Sequence, residues 1–360
     1  MDKAIKYANA ERWVYPLQGP TGGSGITSVD VIVVDLETAD GLTGTGFSYV
    51  LGGGGVTIRL AAQDLLNRFV SNQVIIPPQA LWRRLARSLN RVGRGVGYLA
   101  IAAIDVAMWD LYSKLIKMPL YEALGGTAKA IPVYGSGGFG PTQNPEAAAA
   151  RALEYAKMGC KAVKLRVSGS PADLPRINAV AEALPHGVEI MADANEKCDL
   201  VRAQWLCNVL GEVNALWFEE PLPAHDTNGF SILAAKSPVS IATGEHHQGM
   251  EELAPLMTTQ AVSVIQPDLA MMGGITEILR VCQLAEYYNL TVSPHFLPSL
   301  FVHVAGVTPA IRWLEDFPLL EPLFNDPVTM DAEGNILPPD MLGHGIVWSP
   351  NAREEFRIEE

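Results

Sequence analysis

The chain has 360 residues, 48% of them hydrophobic and 18% charged, the balance of a folded protein with a sizeable core and more than one small domain. A formal net charge of −13, with no run of Lys or Arg to offset it, argues against nucleic acid or an anionic membrane surface as a partner; an anionic substrate would need a local cation or a bound metal to hold it. Cys160, Cys198, Cys207 and Cys282 form no CxxC pair or disulfide framework, the N-terminus has no signal-like apolar core, and no stretch nears about 18 uninterrupted apolar residues, so the protein is expected in the cytoplasm.

The first segment, 1–128, begins with an alternating run from Val31 to Glu37, the turn Ala39-Asp40-Gly41, and a second short strand near Gly44 to Tyr49. Helical patterns follow at about 57–72, 79–92 and 97–116, so this segment is expected to be an α+β module. From Ile131 the pattern changes to short β-rich runs alternating with helical stretches, the mark of a parallel βα array. Strands are predicted at 131–134, 161–167, 188–193, 214–219, 239–243, 262–266, 290–294 and about 310–315. Eight such units over 129–325 fit a closed βα barrel of the TIM type. The tail, 326–360, loses the repeat and is expected to pack back on the first module.

In such a barrel the C-terminal ends of the strands converge on one mouth, where functional side chains gather. Here Lys164 and Arg166, then Asp193, Glu219, Glu245, Asp268, His295 and Glu315 follow one another at intervals of about one strand-helix unit. Asp193, Glu219 and Glu245 offer three hard carboxylate oxygens from adjacent strands, a donor set suited to Mg2+. Lys164 and Arg166 lie two apart, so they share a face, with Val163, Leu165 and Val167 on the other. Asp268 and His295 end neighbouring strands, so the carboxylate can fix the imidazole tautomer and raise its basicity. Any one of these acids alone would more often be a solvated or helix-capping residue. The regular series is what points to a site.

These residues resemble the enolase superfamily over nearly the whole chain. The segment 101–126 (AIAAIDVAMWDLYSKLIKMPLYEALGG) is similar to its capping-domain helix and the lead-in to its barrel. K-L-R at 164–166, D-A-N at 193–195, E-E-P at 219–221, G-E at 244–245, Q-P-D at 266–268 and P-H at 294–295 match the mandelate racemase-like pattern in order and spacing. The resemblance implies an α/β fold, a modified TIM-type barrel with an α+β capping domain that 326–360 completes. It implies one Mg2+ on Asp193, Glu219 and Glu245, and His295 with Asp268 as general base. Glu315 would hydrogen-bond the enediolate, while Lys164, Arg166 and Asn195 would contact a small carboxylate substrate. A Lys or His base beside one or two Mg2+ ions is a general property of that superfamily, not a reading of this chain's spacing. Family habit also implies a homo-oligomer.

One position departs from the pattern. The second lysine of the usual K-x-K is Arg166, and a guanidinium stays protonated at physiological pH, so it is a poor base. A racemase needs a base on each face of the carbon, whereas a dehydratase needs one base and an acid for the departing hydroxyl. The expectation is therefore an acid-sugar dehydratase. A racemase or epimerase using Lys164 is the alternative; a Schiff-base enzyme at Lys164 and a non-catalytic sugar-acid binder are more remote. Specificity is expected from two glycine-rich capping loops, about 15–26 and 48–56, which would serve as mobile lids, or in the case of Gly52 to Gly55 simply as a flexible turn.

Overall fold

A computed structural model describes residues 4–17, 25–140 and 142–359. Three antiparallel strands, β1 (Ile5–Pro16), β2 (Ser28–Thr38) and β3 (Thr43–Leu51), form a meander. The central strand β2 carries the apolar run VIVV, so its side chains are buried on both faces. Helices α1 (Gly55–Phe69), α2 (Pro78–Ser88), α3 (Gly95–Leu115) and the short α4 (Leu120–Ala123) follow. Nearly every side chain of α3 is buried. That helix has the length and apolar composition of a membrane span, yet it is a core helix, because it lies against β3. Two glycines make that contact possible: a Cβ on Gly46 would fall 2.1 Å from the Ala107 nitrogen, and one on Gly44 2.6 Å from the Leu111 Cβ.

The eight predicted parallel strands are all present: β4 (Ile131–Gly135), β5 (Ala162–Arg166), β6 (Glu189–Asp193), β7 (Trp217–Glu219), β8 (Ser240–Thr243), β9 (Val264–Ile265), β10 (Thr291–Val292) and β11 (Leu314–Asp316). They pair in sequence order from β4 to β10, and β11 returns to β4. The Val292 nitrogen donates to the Ala310 carbonyl at 2.8 Å and the Arg312 nitrogen to the Val292 carbonyl at 3.2 Å. These bonds tie β10 to the run leading into β11, so the row of strands closes on itself. Outside lie α5 (Pro145–Met158), α6 (Leu174–Ala183), α7 (Leu200–Glu212), α8 (Thr227–Ala234), α9 (Met250–Thr258), α10 (Leu269–Met272), α11 (Ile275–Tyr287) and α12 (Pro298–Ala305). Tyr134, Met191 and Trp217, with Ala162, Ala242 and Val264, fill the interior, which makes it a packed core rather than a pore.

The tail runs back over the first module. β12 (Asn335–Ile336) pairs antiparallel with β4, and α13 (Ala352–Phe356) lies against β1. Trp348 packs on Trp13 at 4.7 Å and Phe47 at 5.4 Å between ring centres, and the Ile358 nitrogen donates to the Arg12 carbonyl at 2.9 Å.

Two sequence expectations change. The strand β1 has no counterpart in the prediction. The loop expected over 48–56 shrinks to Gly52–Gly54, because Ser48–Leu51 belongs to β3 and Gly55 opens α1. Those three glycines all have φ between 74° and 118°, so they serve a tight left-handed turn from strand to helix. Of the other expected loop, positions 18–24 lie outside the described residues.

The first module also grips the barrel just after α10, a few residues beyond Asp268. Asp105 of α3 accepts from the Thr276 nitrogen at 2.8 Å and the Thr276 hydroxyl at 2.7 Å, and the Trp82 indole donates to the Gly273 carbonyl at 2.8 Å. Burial pushes the Asp105 carboxyl up to about 7, against the hydrogen bonds that lower it. Replacing Asp105 with Ala strands two buried Thr276 donors and should cost about 3 kcal/mol in urea unfolding. A change under about 0.5 kcal/mol would show that this tie carries no stability.

Candidate active site

Parallel register sets the site. Arg166 pairs across from Asp193, and Asp193 from Glu219, so three strand ends stand level at one mouth. Glu245 lies two residues beyond the end of β8 and follows Gly244, where a Cβ would meet the Gln266 backbone at 2.8 Å. Glycine thus lets the chain cross close to β9 before presenting Glu245. Asn195, Glu196, Glu220, Phe296 and Leu297 all adopt left-handed backbone, with φ from 32° to 61°. Non-glycine residues in that region are held there by their surroundings, and strain of this kind gathers at functional sites.

Lys164 is enclosed by acids. Its Nζ donates to Glu219 Oε1 at 2.6 Å and Glu315 Oε1 at 2.8 Å, stands 3.6 Å from Asp193 Oδ2, and sits 5.5 Å from the centre of the Tyr134 ring. Burial opposes the ammonium charge, but Glu219 and Glu315 outweigh it and hold the pKa well above the usual lysine range. Arg166 Nη1 donates to Asp193 Oδ2 at 2.5 Å and to Asn195 Oδ1. Glu219 Oε2 accepts from the Gln266 amide at 2.6 Å and the Trp217 indole at 3.3 Å.

Glu315 receives the Ser136 hydroxyl at 2.6 Å on one oxygen and the Phe296 N–H at 2.9 Å on the other. Burial would raise its pKa, but Lys164 and His295 outweigh that and push it down to about 2. As a carboxylate it can only accept. His295 Nδ1 lies 2.8 Å from Asp268 Oδ2, and its Nε2 is 3.6 Å from Glu245 Oε2. Asp268 does not end a strand, as the sequence pattern suggested. It caps α10, its Oδ1 accepting from the Met271 nitrogen at 3.0 Å. Burial lowers the imidazole pKa, yet Glu245 and Asp268 outweigh it and raise it to about 10.

All nine expected side chains therefore meet at one mouth. Among the described residues, the cationic partners of the five carboxylates Asp193, Glu219, Glu245, Asp268 and Glu315 are Lys164, Arg166 and the His295 ring. The mismatch shows at Glu219, where burial, with Asp193, Glu315 and Glu245 adding to it, raises the pKa well above the usual range despite Lys164. Excess buried negative charge on hard oxygen donors fits a divalent cation. A second acidic group, Glu196, Glu220 and His246, brings its ligand atoms within 4.8 Å of one another at the rim. His246 Nδ1 lies 2.7 Å from Glu220 Oε1, and that hydrogen bond raises the imidazole pKa to about 9, while burial raises the Glu220 carboxyl to about 7, so the group holds a proton between its own members.

The sequence reading missed Ser136, Gln266 and Tyr49. Ser136 follows β4 directly and Gln266 follows β9, so the strand-end rule covers both, but neither side chain is ionisable. Tyr49 donates its O–H to Asp268 Oδ2 from 219 positions away, and no local pattern announces it.

The chain matches the family model of the mandelate racemase / muconate lactonizing enzyme N-terminal domain over 8–125, and that of the enolase C-terminal domain-like family over 147–352. It is 32% identical to an L-talarate/galactarate dehydratase of Salmonella typhimurium over 336 residues, 91% of this chain and 83% of that one. The solved structure of that dehydratase with Mg and L-lyxarohydroxamate superposes with a TM-score of 0.93 at 29% identity, covering 99% of this chain and 94% of the other. An L-talarate dehydratase from Polaromonas sp. JS666, solved with Mg and L-glucarate, gives a TM-score of 0.90 at 31% identity over 99% and 98% of the two chains. Over both segments, in sequence and in fold, the chain belongs to the enolase superfamily, in its mandelate racemase / muconate lactonizing enzyme branch.

Proposed function

We propose that this chain is a Mg2+-dependent cytoplasmic dehydratase of an acid sugar, an aldonate or aldarate, yielding a 2-keto-3-deoxy acid. The observation that carries the reading is the pairing of one well-supported imidazole, His295 on Asp268, with a guanidinium, Arg166, where a second base would stand. Asp193, Glu219 and Glu245 would hold the ion, and the chemistry it supplies is neutralisation of the substrate carboxylate and of the enediolate formed from it.

His295 Nε2 takes the proton from the carbon beside the carboxylate, while Asp268 keeps Nδ1 protonated and the ring oriented. The electron pair left on that carbon moves into the enediolate and then expels the hydroxyl of the next carbon. The proton on Nε2 goes to that hydroxyl, which leaves as water, and the enol product becomes the keto acid. Lys164 and Arg166, both permanent donors here, stabilise the developing negative charge. Glu315 was expected to hydrogen-bond the enediolate itself. Ionised and with both oxygens engaged, it acts through Lys164, which it helps hold at the mouth. Lys164 as the second base of a racemase is disfavoured by the same contacts, since three acids keep its proton in place.

A panel of aldonates and aldarates, including galactarate, L-talarate and L-glucarate, incubated with the protein and Mg2+ in D2O tests the reading. EDTA-sensitive formation of a 2-keto product is the expected result. Deuterium exchange or inversion at the α-carbon without dehydration would make the chain an isomerase instead.

A further inference from the structure

Tyr49 belongs to the first module, on β3, yet it is buried against the barrel's proton-transfer pair. Its hydroxyl donates to Asp268 Oδ2, the same oxygen that faces His295 Nδ1 at 2.8 Å, while Asp268 Oδ1 is taken by the Met271 nitrogen at 3.0 Å. The Asp268 carboxylate is thus fixed from three sides. Burial, reinforced by Asp268, holds the phenol well above its usual range, so the proton stays on Tyr49 and the direction of donation is set. The Tyr49 ring also packs on Phe296 at 4.9 Å between centres. Phe296 follows His295 directly, has left-handed backbone with φ of 32°, and donates its N–H to Glu315 Oε2 at 2.9 Å. One side chain from outside the barrel therefore braces the support of the base on one side and the peptide beside it on the other. Two residues further on, β3 gives way to the Gly52–Gly54 turn.

We propose that Tyr49 is a positioning residue for the reaction: its hydroxyl fixes the Asp268 carboxylate and through it the His295 ring, so that the base is correctly aimed only while the first module is docked. The inference rests on the proposed role of His295 as base. It does not depend on which acid sugar is turned over.

The Tyr49→Phe variant removes the hydroxyl and keeps the ring on Phe296, so packing and hydrogen bonding separate. Two readouts on the Mg2+-loaded full chain decide the matter. The first is the proton resonance of the His295 Nδ1–H, assigned by its loss in His295→Asn. In Tyr49→Phe it should move downfield, because Asp268 Oδ2 loses a competing donor. The second is turnover of galactarate, where kcat should fall about tenfold with KM within about twofold, the pattern of a misaimed base rather than weakened binding. An unmoved resonance with unchanged kcat would overturn the inference and leave Tyr49 a packing residue. If wild type does not turn galactarate over, the resonance alone decides: a shift keeps Tyr49 as the brace of His295, and no shift removes it. Failure of the whole acid-sugar panel, by contrast, overturns the proposed reaction and leaves the brace standing wherever the resonance moves.

Discussion

His295→Asn is expected to lower kcat on the productive acid sugar by about 10³-fold, the range that a well-placed general base contributes. The argument is geometric. Nδ1 is committed to Asp268 at 2.8 Å, which leaves Nε2 as the ring nitrogen turned to the mouth, 3.6 Å from Glu245 Oε2. Lys164 is tied to Glu219 and Glu315, and Arg166 to Asp193. Asparagine keeps a polar group of similar reach but cannot take a proton, so α-proton exchange in D2O should vanish along with turnover. Mg2+ binding, followed by calorimetry, should persist, because all three carboxylates remain even though Glu245 loses a neighbour at 3.6 Å. Retention of exchange at more than about a tenth of the wild-type rate would remove His295 as the base.

Glu219→Gln carries the second large effect. Changing a group that merely supports a metal ligand typically costs 10–100-fold, so loss of a ligand's charge should weaken Mg2+ binding by at least about 100-fold, near 2.7 kcal/mol. Glutamine preserves the shape and one carbonyl oxygen, so the loss reports charge rather than packing. Lys164 would then depend on Glu315 at 2.8 Å, and the Gln266 amide, now facing a neutral partner, loses a charge-assisted bond of 2.6 Å. Activity should return partly at high Mg2+, which a structural collapse would not allow. Unchanged affinity would take Glu219 out of the ligand set.

The barrel was legible because parallel strands, covered on both faces, read as short apolar runs between helical stretches. The site was legible for a related reason: an ionisable residue directly after such a run has few places to go except the mouth. β1 escaped notice because its sequence, IKYANAERWVYP, has no clean alternation; half of its residues are only half-buried, and Ala, Asn and Glu are weak strand formers. It becomes a strand by pairing with β2 along eleven residues, from Pro16↔Ser28 at one end to Ile5↔Thr38 at the other, a long-range choice that no window reveals. Asp268 lies beside His295 for a local reason other than a strand end, as the cap of a four-residue helix. Tyr49 and the enclosure of Lys164 depend on how distant segments meet, and that information is absent from spacing.

The clasp between the two ends of the described chain sets an order of events during synthesis. Arg12 and Trp13 cannot acquire Ile358 and Trp348 as partners until the barrel between them has been made. At ~5–20 residues per second, the sheet of the first module waits roughly tens of seconds for the tail that covers it. During that interval Trp13 and Phe47, buried in the finished protein, lack their aromatic neighbour. The sheet of the first module is therefore made early and sealed late, its aromatic face open to solvent or to other chains until the tail arrives.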